Sequence, residues 1–353
     1  MKEPFSSPLA RTVAAGTGIL YLKILQALFW VIGVVMLLFM LFLPPVGIIL
    51  FWNILIPIAP ALLVLGAGLW RNVCPLGTTS LLPDKLGLSR NIKLTAHQRD
   101  VLNLIAVTAL FIIIPLRHIL FNTNGHATAF LLITIASIAV ITGFLFERKS
   151  GWCSGLCPVH PVEKLYGSGV AFTLPNVHCG SCVHCSVPCP DSSVNVSLKN
   201  AKSKESRISK YLLVGAFPGY VWGWFQIPDF TGVGTWEKIM IVYGMPVLGG
   251  VTTLLSYLVL RKVLGKGRET ALISLFAAAT VSCYYWFRLP QLIGYSPLDT
   301  NGVLYNLIDY LPTWTPTMLN MLSTSFFMWW MVIRKKPLRS WTARPQSSSV
   351  HVQ

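Results

Sequence analysis

Eight long apolar segments divide this chain, and they constrain its fold more than any other feature. Each approaches the ~20 apolar residues that an α-helix needs to cross the hydrocarbon core of a bilayer. The predicted spans are residues 24–43, 46–69, 101–121, 128–147, 211–228, 239–260, 270–288 and 315–333. The chain is 54% hydrophobic and only 11% charged, which is typical of a multi-pass membrane protein. We therefore expect an all-α polytopic membrane protein with about eight transmembrane helices in contact with membrane lipid.

The positive charges sort to one side of this predicted topology. If the loops alternate between the two sides, 25 of the 28 Lys and Arg residues fall on one side, and only Arg117, Lys238 and Arg288 fall on the other. By the positive-inside rule, the richer side is cytoplasmic. We expect a protein of the cell inner membrane with both termini in the cytoplasm. The same distribution explains the net charge of +16 without a nucleic-acid partner, because the charges are spread over five separate segments.

Seven of the eight cysteines lie in segments that this topology assigns to the cytoplasm. They are Cys74, Cys153, Cys157, Cys179, Cys182, Cys185 and Cys189. Disulfides are rare in the reducing cytoplasm, so these cysteines favour metal binding or redox chemistry. The eighth, Cys283, lies inside the seventh predicted span, where a small buried side chain is the expected role.

Four of these cysteines form one compact motif. The stretch HCGSCVHCSVPCPD, residues 178–191, contains the spacing C-x2-C-x2-C-x3-C-P. In bacterial ferredoxins, three closely spaced cysteines of this run bind one cubane, and the fourth ligates the other cluster. The spacing predicts a 4Fe-4S cluster on Cys179, Cys182 and Cys185, with Cys189 directed to a second site. A zinc site is the alternative, but zinc ligands usually pair one C-x2-C with a second, distant pair.

Candidate ligands for the remaining positions lie upstream. The segment WRNVCPLG, residues 70–77, contains Cys74 followed by proline, and GWCSGLCPVHP, residues 151–161, contains Cys153 and Cys157 in a C-x3-C-P pattern. Each segment follows a predicted span at its cytoplasmic end. Both can therefore converge on a small ferredoxin-like iron-sulfur insert on the cytoplasmic side.

This order of motifs resembles the membrane-bound 4Fe-4S polyferredoxin family (the NapH, NosR and CcoG type), whose members serve periplasmic nitrate and nitrous-oxide reductases and copper-oxidase assembly. The resemblance covers about residues 24–200, and the last four spans lie outside it. In that family both upstream loops usually read C-x3-C-P, and eight cysteines hold two 4Fe-4S clusters. In this chain the residue four positions before Cys74, where the family has a cysteine, is Trp70.

The resemblance thus implies one complete cluster and a second with an incomplete cysteine shell. Which of Cys74 and Cys157 serves which cluster stays open, as does the number of clusters. Residues near the motifs that could replace the missing cysteine are Ser154, His160, His178, His184 and Asp191.

Four regions follow from these patterns. They are an N-terminal four-helix membrane region at 1–147 with the Cys-Pro loop at 70–80, a cytoplasmic iron-sulfur segment at 148–209, a C-terminal four-helix membrane region at 210–334 and a disordered cytoplasmic tail at 335–353. Within the third region, Gly215, Gly219 and Gly223 repeat every four residues and predict close helix packing.

Two histidines, His118 and His126, flank the predicted loop on the outer side. A quinol site or a heme would use such imidazoles. The other interpretation is an interfacial histidine beside Arg117, whose long side chain would reach the headgroups.

The predicted function is electron transfer between a quinone pool or a cytoplasmic donor and a membrane or extracytoplasmic redox partner, with quinol dehydrogenase-type activity as one form. Basic residues beside the cysteines, including Lys199, Lys202 and Lys204, favour an acidic donor such as a ferredoxin or flavodoxin. One alternative is a copper reductase that assembles a metalloenzyme, and another is a zinc-stabilised membrane scaffold or transporter. No nucleophile and base pattern identifies catalytic residues.

Overall fold

The computed structural model describes most of the chain. The described residues are 8–147, 149–167, 170–171, 174–177, 198, 201–230, 236–295, 302–334 and 342–343. The ferredoxin run, with Cys179, Cys182, Cys185 and Cys189, lies outside the described residues, and so does the predicted tail apart from 342–343.

Six helices among the described residues are long and apolar enough to cross a membrane. They are Ile19–Phe42, Pro44–Ser80, Ala96–Phe121, Gly125–Leu145, Trp236–Leu264 and Glu269–Leu292. The prediction of an all-α membrane protein is thereby confirmed. The other two predicted spans, 211–228 and 315–333, are also helical. The first begins with the π-helical turn Tyr211–Ala216 and ends at Trp224, and the second ends with the π-helical turn Trp329–Ile333.

Seven α-helices build the N-terminal half. They are α1 Pro8–Phe42, α2 Pro44–Ile48, α3 Ile56–Val73, α4 Pro75–Ser80, α5 Leu82–Lys85, α6 Ala96–Leu116 and α7 Gly125–Leu145. Local signals set their starts: Thr95 and Gln98 form a reciprocal capping box before α6, and the Asn124 side chain accepts the Ala127 N–H at 3.0 Å before α7. A π-helical segment, Ile49–Leu55, joins α2 to α3 and makes one long span of them.

Among its described residues, the C-terminal half contains six further named α-helices and one short strand pair. The elements are α8 Val159–Tyr166, α9 Lys204–Lys210, α10 Phe217–Trp224, α11 Trp236–Leu264, α12 Glu269–Leu292, α13 Thr315–Met328 and the parallel strands β1 Leu174–Pro175 and β2 Thr342–Ala343. The predicted glycine stripe lies between α10 and α11. A β-carbon at Gly219 would lie 1.9 Å from the carbonyl oxygen of Gly249, so the two backbones touch. The stripe therefore serves internal packing.

The main hydrophobic core joins both halves of the chain. Leu63 and Val64 of α3, Leu165 of α8, Tyr257 of α11 and Val281 of α12 all lie in it with almost no exposed surface. Because α8 contributes to this core, the segment that follows Cys157 is fixed to the membrane helices rather than lying loosely on their surface. The cysteine loops therefore have a rigid support.

Candidate metal centre

The three upstream cysteines lie at the same end of the bundle, here called the cysteine end, and two of them lie close to one glycine. A β-carbon at Gly77 would lie 3.7 Å from Cys153 Sγ and 3.9 Å from Cys74 Sγ. Cys157 follows the π-helical turn Trp152–Leu156, and its thiol interacts electrostatically with those of Cys74 and Cys153. Sulfur atoms from two distant loops therefore share one site.

Both Cys-Pro dipeptides place their sulfur at the start of a helix. Backbone N–H groups of Leu76 and Gly77, in the first turn of α4, lie close to the sulfur of Cys74, although the sulfur makes no capping hydrogen bond. The N–H groups of Val159 and His160 in α8 lie in the corresponding position beside Cys157. First-turn N–H groups have no partner inside their own helix. The proline that follows each cysteine begins the turn without an N–H of its own, which leaves the next donors to the sulfur.

Burial determines the protonation state of the thiols before any metal binds. Burial is the main cause that raises the pKa of the Cys157 thiol, and the neighbouring Cys153 and Cys74 raise it further. Hydrogen bonds from the two backbone N–H groups act in the opposite direction but are weaker. The free Cys157 therefore keeps its proton at neutral pH, and a bound metal ion would displace it.

A buried charged group lies beside the sulfur atoms. Arg71 Nε donates to Glu163 Oε1 at 2.7 Å, and both side chains are 4% exposed. The Arg71 guanidinium also contacts Nδ1 of His160, which lies one helical turn before Glu163 in α8. Burial first, and the positive charge of Arg71 next, lower the pKa of His160 well below its usual range. His160 is therefore neutral, and its ring is engaged by Arg71.

The chain is held to the same place just before the ferredoxin run begins. The N–H of Val177 donates to Asn72 Oδ1 at 3.0 Å, and Asn72 lies two residues before Cys74. A kink at Gly66 interrupts α3 and leaves the Leu65 carbonyl to accept the Ala171 N–H at 2.9 Å. Beyond the run, Leu198 is buried in the main core. The described residues on both sides of the run are thus anchored next to α3 and α8.

The described donors fit a 4Fe-4S cluster in part. Cys74, Cys153 and Cys157 supply three sulfur atoms, one fewer than such a cluster uses. Trp70, at the position of the missing cysteine, packs against the main core and accepts the N–H of Cys74 through its carbonyl. Within the described ranges, no three His, Cys, Asp or Glu side chains are placed to hold a metal ion. Cys283 packs against the main core in α12.

A second candidate site lies at the opposite end of the bundle, here called the distal cavity, with a volume of about 310 Å³. Its walls include Trp52, Asn53, Arg117, His118, Trp224, Phe225, Asp229, Trp286, Phe287 and Arg288. Trp52 and Cys74 lie in the same long span, Pro44–Ser80. At a helical rise of ~1.5 Å per residue, the two residues are about 30 Å apart along that span. The cavity and the cysteine end are therefore separate sites.

The distal cavity overturns the interfacial interpretation of His118. Both His118 and Arg117 are buried, and the Arg117 guanidinium lies 3.9 Å from the Trp52 ring and 4.7 Å from the Trp224 ring. Its side chain does not reach outward, because the two indoles and the Asn122 carboxamide hold it inside. Such stacking stabilises a buried guanidinium.

A short polar contact in the distal cavity holds a proton. His118 Nδ1 lies 2.7 Å from Asp229 Oδ1, and Nε2 lies 2.9 Å from the Trp224 carbonyl oxygen. A carbonyl only accepts, so Nε2 carries a hydrogen, and the short contact at Nδ1 requires another between ring and carboxylate. The His118 ring is therefore fixed by polar partners on both of its nitrogen atoms. His126, the second predicted histidine, is exposed.

Comparisons of this chain with protein-family models, with curated proteins and with solved structures found no match. The polyferredoxin resemblance accordingly stays a prediction from the cysteine motifs. Any function is inferred from the chemistry of the residues at the two sites.

Proposed function

We propose that this protein is a membrane-bound electron-transfer protein that carries iron-sulfur clusters. The observation that supports the proposal is that Cys74 and Cys153, from two distant loops, lie on either side of Gly77, with Cys157 at the start of α8 beside them. With Cys179, Cys182, Cys185 and Cys189 of the ferredoxin run, the chain offers seven thiolates. Seven thiolates complete one 4Fe-4S cluster and leave a second with three.

Each part of the cysteine end has a role in this proposal. A 4Fe-4S cluster supplies reversible one-electron transfer. The backbone N–H groups at Cys74 and Cys157 orient the sulfur atoms and stabilise negative charge on them. Lys149 is buried near Cys74 and offsets the charge that thiolates bring to the site.

The arrangement in the membrane belongs to the same proposal. Eight helices cross the inner membrane, with the ferredoxin-like insert and both termini on the cytoplasmic side. The support is the distribution of Lys and Arg along the sequence. A cysteine-accessibility assay that labels exposed engineered thiols from each side of a vesicle tests this arrangement. Labelling of a thiol at Lys204 from the outside would contradict it.

The first experiment measures metal content. Anaerobically purified protein is expected to contain about eight irons per chain, or about seven with a three-iron EPR signal, and a matching amount of acid-labile sulfide. About four irons would reduce the proposal to a single cluster. A colourless protein with one zinc and no sulfide would contradict it and favour the zinc-stabilised scaffold or transporter.

We also propose that a quinone or quinol headgroup is the redox ligand of the distal cavity. Aromatic rings of Trp224, Phe225 and Trp286 form apolar walls against which a quinone ring can pack. Trp286 is 40% exposed on the outer surface of the bundle, where lipid-soluble ligands arrive. The His118–Asp229 pair lies in the same wall and can exchange a proton with a ring oxygen, as quinone chemistry requires.

Replacing His118 by asparagine is expected to weaken binding of a short-chain quinone analogue by about 10-fold or more, because a hydrogen bond to a charged or proton-sharing group contributes ~1.5–3 kcal/mol. Quenching of tryptophan fluorescence in detergent measures the affinity. The matched control is His126→Asn, which changes the exposed histidine at the start of α7. Equal affinities for the two variants and the unchanged protein would contradict a quinone site.

The copper-reductase alternative differs in the electron acceptor. Reduced protein in vesicles is expected to be reoxidised by an added quinone analogue and not by Cu(II) at equal concentration. Loss of the reduced-cluster EPR signal reports the reaction. Faster reoxidation by copper would favour the role in metalloenzyme assembly.

A further inference from the structure

The two Cys-Pro loops are built on the same local plan. The N–H of Cys74 donates to the Trp70 carbonyl at 2.9 Å, and the N–H of Cys157 donates to the Trp152 carbonyl at 2.8 Å. The two cysteines have nearly equal backbone angles, with ψ of 118° and 116°. In both loops a proline follows, and the next two residues begin a helix with their N–H groups beside the sulfur. Trp70 therefore corresponds to Trp152, and Cys74 corresponds to Cys157.

The loops differ by one residue between the tryptophan and the cysteine. Three residues separate Trp70 from Cys74 in a regular α-helical turn, whereas four separate Trp152 from Cys157 in a π-helical turn. A π-turn accommodates one additional residue. If the two loops are aligned by sequence on Cys74 and Cys157, Trp70 corresponds to Cys153. If they are aligned instead on the hydrogen bond from each cysteine to its tryptophan, the residue after the tryptophan corresponds in the two loops. That residue is Cys153 in the second loop and Arg71 in the first.

The side chain of Arg71 remains inside the site. Its guanidinium donates to Glu163 and contacts the ring of His160, and both partners belong to α8. The first turn of α8 also supplies the N–H groups beside the sulfur of Cys157. Arg71 thus connects the last turn of α3, just before Cys74, to α8, the helix that follows Cys157.

We infer that Arg71 occupies the ligand position of the first loop that Cys153 occupies in the second, and that it supplies a fixed positive charge there instead of a thiolate. This inference rests on the proposed function. The cluster next to this position is left with three protein thiolates. The Arg71 guanidinium contacts both ring nitrogens of His160, so the ring is engaged on the side of the ion pair. His160 is therefore not the replacement ligand.

A charge argument gives the expected direction of the redox effect. Replacing the Arg71–Glu163 ion pair, which carries no net charge, by a thiolate and a neutral glutamine changes the local charge by about one unit. Positive charge beside a cluster favours its reduced form, and so raises its reduction potential. Restoring a thiolate at position 71 should therefore lower the potential of one cluster and leave the other nearly unchanged.

The test uses full-length protein in which Glu163→Gln accompanies each change at position 71, so that no buried carboxylate is left without its cation. In this background, Arg71→Cys is expected to convert one EPR signal to that of a cluster with four thiolates and to shift its midpoint potential downward. Arg71→Ser in the same background is the matched control without a thiol and is expected to keep the incomplete signal.

Trp70→Cys is expected to leave the EPR signal of the incomplete cluster unchanged. The inference would be overturned if Trp70→Cys alone gave the signal of a cluster with four thiolates, or if Arg71→Cys gave no change.

A second measurement needs no variant. An iron with an open position binds an added small ligand, so in protein with about eight irons per chain cyanide or 2-mercaptoethanol is expected to change one EPR signal. Absence of any response in protein with about eight irons would overturn the inference while leaving the proposed function intact. In protein with about seven irons, the three-iron signal itself reports the missing ligand. Absence of iron and sulfide from the unaltered protein would instead remove the proposed function itself.

Discussion

Replacement of Cys74 by serine is expected to remove about half of the iron and acid-labile sulfide from the protein. Serine keeps the size of the side chain, but its hydroxyl is a much poorer ligand for iron-sulfur clusters than a thiolate. Cys74 lies where N–H groups of Leu76 and Gly77 already point at its sulfur, so no neighbouring side chain can take over that geometry. Metal and sulfide analysis of anaerobically purified protein measures the loss.

The matched control for this change is Cys283→Ser. Cys283 is likewise partly buried, but it packs against the hydrophobic core in α12. This variant is expected to keep all of its iron and to lose about 1 kcal/mol of stability at most. Equal loss of iron from both variants would mean that unfolding rather than ligation is measured. Unchanged iron in Cys74→Ser would remove Cys74 from the ligand set.

Replacement of Gly219 by alanine is expected to destabilise the C-terminal half strongly, although it adds only one methyl group. The new β-carbon would lie 1.9 Å from the carbonyl oxygen of Gly249 and 2.4 Å from its carbonyl carbon. Both atoms belong to the backbone of α11, so no side chain can rotate away and the helices must separate. Overpacking of this kind costs about 1–3 kcal/mol or more. Thermal unfolding in detergent measures the decrease in Tm.

Gly244→Ala is the matched control, because Gly244 lies in the same helix α11 and a β-carbon there would meet no atom within 4 Å. An alanine in an open helical position stabilises the helix by ~0.5–1 kcal/mol relative to glycine. The two variants are therefore expected to shift Tm in opposite directions. Similar shifts in both would mean that the contact between Gly219 and Gly249 does not hold α10 against α11.

Much of the fold follows from hydropathy and residue spacing. Long apolar runs predict membrane helices because the bilayer demands that every backbone group be paired within the segment. The four-residue repeat that includes Gly219 predicts close packing, because a helix with small residues on one face can approach its neighbour. Cys74 and Cys157 each follow an apolar run, which places both at the same end of the bundle. These features are local, so the sequence displays them directly.

The long-range polar pairs could not be read in the same way. Arg71 and Glu163 are 92 residues apart in sequence, Asn72 and Val177 are 105 apart, and His118 and Asp229 are 111 apart. Periodicity describes which face of a helix is apolar but not which loop that face meets. One signal was present: an ionisable residue at the end of a membrane span, such as Arg71 or Asp229, commonly marks a functional contact.

The anchors around the ferredoxin run bear on how the protein is assembled and repaired. Val177 is held by the Asn72 carboxamide and Leu198 by the apolar core, so both contacts are made by protein groups alone. The chain therefore enters and leaves the ferredoxin run at two points that the folded helices fix. On the proposed function, iron and sulfide would then be delivered to a bundle whose helices have already folded. A cluster destroyed by oxygen would be rebuilt in place, without extracting or refolding those helices.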